Sequence, residues 1–258
     1  GANGEEAILL EANGTAQVVV LIDNVEVDNI VTQAIQAVMR DTSNMQLTVS
    51  NSDFLDTETG DAAIIFNTDG ASSGNLSVQD NFFTDADLIG PFGVLLKNDS
   101  SGTLEATIQG NMFEWLSPVS INHDDTGSSG PANCTTIVLS GVPNIGDGNT
   151  VSASTPLGTW ALEVTATESA ITGADPDVHL TVINNDFGKI YDYYYIGNSY
   201  ISANGTARVN LKVEGNSFTG SYSPFGYDWG GAGNYIYYGL AIDQNDSSIV
   251  RMRCLGAS

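Results

Sequence analysis

The chain has 258 residues, with 31 Asp and Glu against 7 Lys and Arg and a formal net charge of -24. Such a surface repels phosphate backbones and anionic lipid, which makes nucleic acid and membrane surfaces poor partners and suits salty, extracellular surroundings. No apolar run is long enough to span a bilayer, and the chain opens on Gly rather than Met, as expected of a processed product or a piece of something longer.

Read from the first residue onward, one octet keeps returning. Residues 47–54 are LTVSNSDF, 76–83 LSVQDNFF, 106–113 ATIQGNMF, 180–187 LTVINNDF and 211–218 LKVEGNSF. In each, an apolar residue is followed two places on by Val or Ile and seven places on by Phe. Asn stands five places on in all but the first. This is an internal repeat. Its strand starts near Val20, Leu47, Leu76, Ala106, Ile137, Leu180, Leu211 and Val250.

A second apolar strand precedes each octet, as in AILLEANG (7–14), AIQAVMRD (34–41), AAIIFNTDG (62–70), FGVLLKNDSSG (92–102), YISANG (200–205) and YGLAIDQNDSS (238–248). Both types end in Gly, Asn, Asp and Ser, residues that turn a chain at little cost. The segment IVTQAIQAVMR (30–40) also fits a helical period through positions 30, 31, 34, 35 and 38. Its phase with the other strands and its polar turn favour a strand.

Short strands stacked in units of about thirty residues, without hairpin signals, describe a solenoid. The whole chain, 1–258, reads as a single all-β domain with longer coil insertions near 140–175 and 219–237. Period-two alternation places Leu47 and Val49 inside and Thr48 and Ser50 outside. Equivalent positions then stack, so Phe54, Phe83, Phe113, Phe187 and Phe218 should form an aromatic column. Asn81, Asn111, Asn185 and Asn216 should form an amide ladder at a bend.

The octet with its Asn and Phe columns resembles the right-handed parallel β-helix of the pectin-lyase-like superfamily. In flavour it is closest to bacterial surface, autotransporter-passenger and adhesin modules. The repeat starts give about seven to eight coils. The resemblance covers nearly the whole chain, but its motifs are structural, and the fold hosts lyases, hydrolases, tailspikes and adhesins alike.

Pectate-lyase-like relatives hold Ca²⁺ on aspartates beside a basic residue on one outer face. Here Arg208, Lys212, Arg251 and Arg253 are the late basic residues. The repeat spacing puts Lys212 with Arg251, Glu214 with Arg253 and Asp177 with Arg208. That is either the setting for proton abstraction from a uronic sugar or a set of cross-coil ion pairs. Acidic turns recur at Asp41, Asp69, Asp99, Asp124 with Asp125, and Asp243 with Asp246. Asp69, Asp99, Asp124 and Asp125 are the candidate Ca²⁺ ligands, and solvated acidic turns are the competing description.

His123 and His179 lack metal-ligand spacing, no G-x-S-x-G elbow occurs, and six N-x-S/T sequons, at Asn13, Asn75, Asn98, Asn133, Asn204 and Asn245, are near the chance number. All ten tyrosines fall between Tyr191 and Tyr238. Tyr222, Tyr227, Asp228, Trp229 and Tyr235 form a candidate glycan platform in a Gly-rich loop, against the alternative that they pack their own loop. Cys134 and Cys254 fall in separate coils, so two free thiols or an intermolecular bond are expected rather than an internal bridge.

These readings converge on an extracellular structural module of a cell-surface fibre or adhesin, with Ca²⁺ as the one candidate cofactor. The two ends are in complementary phase, so the expected partners are copies of the chain end to end. The alternative is a carbohydrate-active enzyme, a polysaccharide lyase or glycoside hydrolase, or a glycan-binding module with surface glycans as partners. No residue set is assigned as catalytic.

Overall fold

The computed structural model describes residues 6–30, 32–57, 62–84, 92–114, 117–124, 134–140, 149–153, 162–167, 177–186, 199–216, 241–245 and 247–255. The first coil is β1 (Ile8–Ala12), β2 (Gln17–Asp23) and β3 (Glu26–Ile30). The second is β4 (Ile35–Met39), β5 (Asn44–Ser50) and β6 (Asp53–Thr57), and the third β7 (Ala62–Gly70), β8 (Ser73–Gln79) and β9 (Phe82–Thr84). The fourth is β10 (Phe92–Ser100), β11 (Thr103–Gln109) and β12 (Met112–Glu114), and the fifth β13 (Ser117–Asp124), β14 (Cys134–Ser140) and β15 (Thr150–Ala153). Three further coils contribute two strands each: β16 (Leu162–Thr167) with β17 (Asp177–Ile183), β18 (Ser199–Asn204) with β19 (Arg208–Glu214), and β20 (Ala241–Gln244) with β21 (Ile249–Leu255).

Each strand pairs in parallel with its counterpart one coil on. The first sheet runs β1-β4-β7-β10-β13-β16-β18-β20, the second β2-β5-β8-β11-β14-β17-β19-β21, and the third holds β3, β6, β9, β12 and β15. The fold is an all-β parallel solenoid. Three-sided coils number five among the described residues, fewer than the seven to eight full turns the repeat predicts. Residues 35–39 form a strand, with Ile35 paired to Ile8 on one side and Ile64 on the other.

The core follows from alternation. In β5, Met45, Leu47 and Val49 are buried, and Leu76 and Val78 of β8 and Leu104, Ala106 and Ile108 of β11 repeat them. Complementary size across the coil fills the remaining space. A Cβ on Gly74 would lie 2.5 Å from Phe66 Cε1, so the Phe66 ring of the first sheet occupies the room that glycine leaves in the second. Outward residues of the first sheet are buried as well: Ala62, Ile65 and Leu95 make a second apolar cluster with Phe92.

The octet is bent rather than straight. A left-handed residue follows six of the eight second-sheet strands, at Asn24, Asn51, Asp80, Gly110, Asn184 and Gly215, with φ between 49° and 68°. Asn, Asp and Gly adopt this conformation most readily. Gly110 and Gly215 also leave room for the neighbouring coil, because a Cβ there would meet Asp80 Oδ1 at 2.2 Å and Asn184 Oδ1 at 2.1 Å and those side chains would have to move aside.

Past the bend comes the aromatic column. Phe54, Phe83 and Phe113 are buried in the third sheet, with ring centroids 4.9 and 4.8 Å apart and planes within 14° and 8° of parallel. In register, Val27 precedes Phe54 and Val151 follows Phe113. Phe187 and Phe218 lie outside the described residues. Removal of the central ring tests this packing. Phe83→Ala should cost roughly 3–5 kcal/mol by cavity formation, while the neighbouring half-buried Phe82→Ala should cost clearly less. Equal losses in urea unfolding would refute the register.

Candidate functional site

The Asn ladder uses the polar side chains that the coil interior contains at this bend. Asn81, Asn111, Asn185 and Asn216 are buried, and Asn149 joins them. Each side-chain oxygen accepts from the backbone N–H one coil earlier: Ser52 N–H donates to Asn81 at 3.0 Å, Asn81 to Asn111 at 3.0 Å and Asn111 to Asn149 at 3.2 Å. The run continues from Asn149 to Asn185 at 3.0 Å and from Asn185 to Asn216 at 2.9 Å. The amide nitrogens donate to strand carbonyls of the preceding coil, as Asn81 does to Val49 at 3.1 Å and Asn216 to Val182 at 2.7 Å. An insertion hid Asn149 from the octet pattern. Its signal was the Gly148-Asn149 pair, which matches Gly110-Asn111 and Gly215-Asn216.

On the outer face of the second sheet, the late strands bring several ionisable side chains together. A depression of about 320 Å³ there is lined by His179, Thr181, Asn210, Lys212 and Arg251. His179 Nε2 lies 3.3 Å from Asp177 Oδ2, and Asn210 Nδ2 donates to Asp177 Oδ1 at 2.9 Å. Lys212 Nζ contacts Glu214 Oε2 at 2.9 Å within the same strand. The Lys212 pair is 40–42% exposed, so it contributes no more than about 1 kcal/mol. Chemically the group offers Lys212 and Arg251 to an anion, beside the His179 imidazole. Asp177 orients the imidazole.

Two of the three predicted register pairs are corrected. Asp177 does pair with Arg208. Lys212 pairs with Arg253 rather than Arg251, which pairs with Asn210, and Glu214 pairs with Leu255. The eighth repeat therefore starts at Met252, not Val250. A two-residue slip keeps every side chain on its own face, so the apolar pattern fits both registers. The last turn decides, with Ile249 N–H bonded to the Ala207 carbonyl at 2.9 Å.

Of the candidate Ca²⁺ ligands, Asp69 and Asp99 are register partners on neighbouring strands. Asp124 ends β13, but its side chain and all of Asp125 lie outside the described residues, as does Asp246. Asp41 is one place out of that column. It turns with φ 63° and its Oδ2 accepts from Gly14 N–H at 2.9 Å. Asp243 falls beside Ser202, also off the column. Among the described residues no group of three or more His, Cys, Asp and Glu is arranged to hold a metal.

Tyr222, Tyr227, Asp228, Trp229 and Tyr235 lie outside the described residues. Cys134 and Cys254 sit on β14 and β21, three strand steps apart. At about 4.8 Å per step that is beyond the ~7 Å reach of a disulfide. Asn98, in a sequon, is buried and accepts from Thr68 Oγ1 at 2.8 Å and Ser100 Oγ at 3.0 Å, so its amide serves the fold.

Sequence reasoning missed Glu163. It lies on β16 between Ser120 and Tyr200 in register, on the covered outer face of the first sheet. Burial pushes its carboxyl above the ordinary value. The continuous apolar runs AAIIF and FGVLL were the available signal, since strands buried on both faces lose alternation. No family model, curated protein or solved structure matches the chain.

A pH test follows. The folded state holds the Glu163 proton more tightly than the unfolded chain, so stability falls as pH rises from the ordinary value of 4.5 through the raised one. Glu163→Gln should flatten that part of the curve and stabilise the chain at neutral pH. Unfolding midpoints from pH 4 to 8 check it, and an unchanged slope would count against burial of this carboxyl.

Proposed function

We propose that the chain is an extracellular structural module of a cell-surface fibre or adhesin, which assembles end to end with copies of itself. The observation that carries this reading is the unbroken amide ladder from Ser52 to Asn216. It commits the buried amides at the bend, with the aromatic stack and apolar columns, to holding coil on coil. A rod built this way resists shear along its whole length. Its acidic shell favours solubility in salty media, and Ca²⁺ would screen the repulsion between the stacked Asp69 and Asp99. Likeness to the surface and autotransporter-passenger versions of the pectin-lyase-like β-helix fits the same role.

A second reading, a carbohydrate-active enzyme or glycan-binding module, draws on the depression beside His179, Lys212 and Arg251. It would use the tyrosine-rich segment for sugar stacking.

Three measurements separate the readings. Antibody labelling of intact source cells should mark the surface, and negative-stain images of the purified chain, with and without Ca²⁺, should show straight rods. Internal-only labelling would reject the surface role. Incubation with uronate polymers should give no rise in unsaturated-product absorbance. A rise abolished by Lys212→Ala or Arg251→Ala would install the enzymatic reading instead.

A further inference from the structure

At one end of the second sheet lies β2, with sequence QVVVLID. Val19 and Leu21 point outward and are 79% and 67% exposed. The inward residues Val18 and Val20 pack on the core but are only partly buried. Its outer edge has no strand beside it among the described residues. Edge strands are ordinarily blunted by Lys, Pro or a bulge, and β2 has none of these. A flat, β-branched, unguarded edge is a template for strand addition.

The matching strand is at the other end of the same sheet. We propose that β2 of one copy adds in parallel to β21 of another, with Gln17 beside Ile249. Both strands have seven residues. In this register Val18 falls beside Val250, Val20 beside Met252 and Ile22 beside Cys254, apolar residues throughout.

The turns choose this register over a two-residue slip. Ala16 N–H bonds to the Asn13 carbonyl ahead of β2, and Ser248 N–H bonds to the Asn245 carbonyl ahead of β21. The same turn, begun by Asn in both cases, places β1 over β20 when β2 is placed over β21. That alignment sets Glu11 beside Asp243, and Arg40 already holds Glu11 at 2.9 Å.

Charge favours the same polarity. Residues 6–30 contain Glu6, Glu11, Asp23, Glu26 and Asp28 and no Lys or Arg, whereas Arg208, Lys212, Arg251 and Arg253 are four of the chain's 7 cations. Arg251 and Arg253 come beside Val19 and Leu21. An arginine stem covers apolar surface while its head stays in water near acids. The contact is heterologous and does not close, so it propagates along the solenoid axis.

This contact rests on the end-to-end reading, and a charge swap tells the two apart. Sedimentation velocity of the full chain should show concentration-dependent association that weakens with salt. The pair Val19→Lys with Leu21→Lys, solvent-exposed changes, should weaken it at least about tenfold, since like charges then meet across the junction. The pair Arg251→Glu with Arg253→Glu should also weaken it, and mixing the two variants should restore association. Unfolding midpoints near that of the wild type would show that both variants fold. Association unaffected by the Lys pair, or a mixture without rescue, overturns this strand contact and leaves end-to-end assembly to another surface. A wild-type chain that stays monomeric at every concentration overturns both.

Discussion

Parallel strands lie about 4.8 Å apart, so each side chain in a solenoid must tolerate a copy of its own position one step away. That constraint selects the residues. Apolar columns gain burial from self-contact, and the Phe54, Phe83 and Phe113 rings stack at the strand spacing itself. Asn carries both a donor and an acceptor, so an amide column satisfies itself in one direction and bonds backbone in the other. A buried carboxylate column would offer acceptors only and would repel its neighbours. The interior is accordingly furnished with Asn, Ser and Thr as its buried polar groups among the described residues.

Bends obey the same rule. Left-handed backbone recurs at a fixed phase, and the residue there must also leave room for the coil beside it. Asp80 and Asn184 reach over the next coil with their side-chain oxygens, and Gly110 and Gly215 accept the intrusion by having no Cβ. At Asn51 a different solution appears: its amide donates to Asp23 Oδ1 at 2.8 Å, and Ser50 Oγ donates to the same oxygen at 2.7 Å. These two bonds hold the Asp23 carboxyl below its ordinary value. Each bend thus ties one coil to the next, and coil-to-coil cohesion does not depend on the core alone.

The outer faces are where the coils differ from one another. On the first sheet, Ile65, Leu95 and Ala62 are buried, and the half-buried Glu163 lies two strands beyond Leu95 in the same row. On the second, the face starts with exposed Val19 and Leu21, passes through Ser, Thr and Asn, and ends among basic residues. The outer face of the second sheet thus changes from apolar to basic along the solenoid axis, so its two ends are chemically distinct.

Leu47, Val49 and their counterparts were legible as core from sequence alone, because a side chain's face is fixed by parity and parity is written in the chain. So were the amide and aromatic columns at 81, 83, 111 and 113, since stacked copies must be similar. Asn149 escaped because an insertion moved it out of step while hydrogen bonding brought it back into line. Parity is blind to even-numbered slips, so the partner of Lys212 was decided only by the turn before β21. Likewise, nothing local in LEVTAT says that Glu163 is covered, because burial of an outward face depends on what packs over it. Sequence determined the coil, its inside and its ladders, through a repeat that acts on nearest neighbours. Register across unequal turns and burial of outer faces were decided by the tertiary structure, because both arise between segments whose separation along the chain carries no information about their contact.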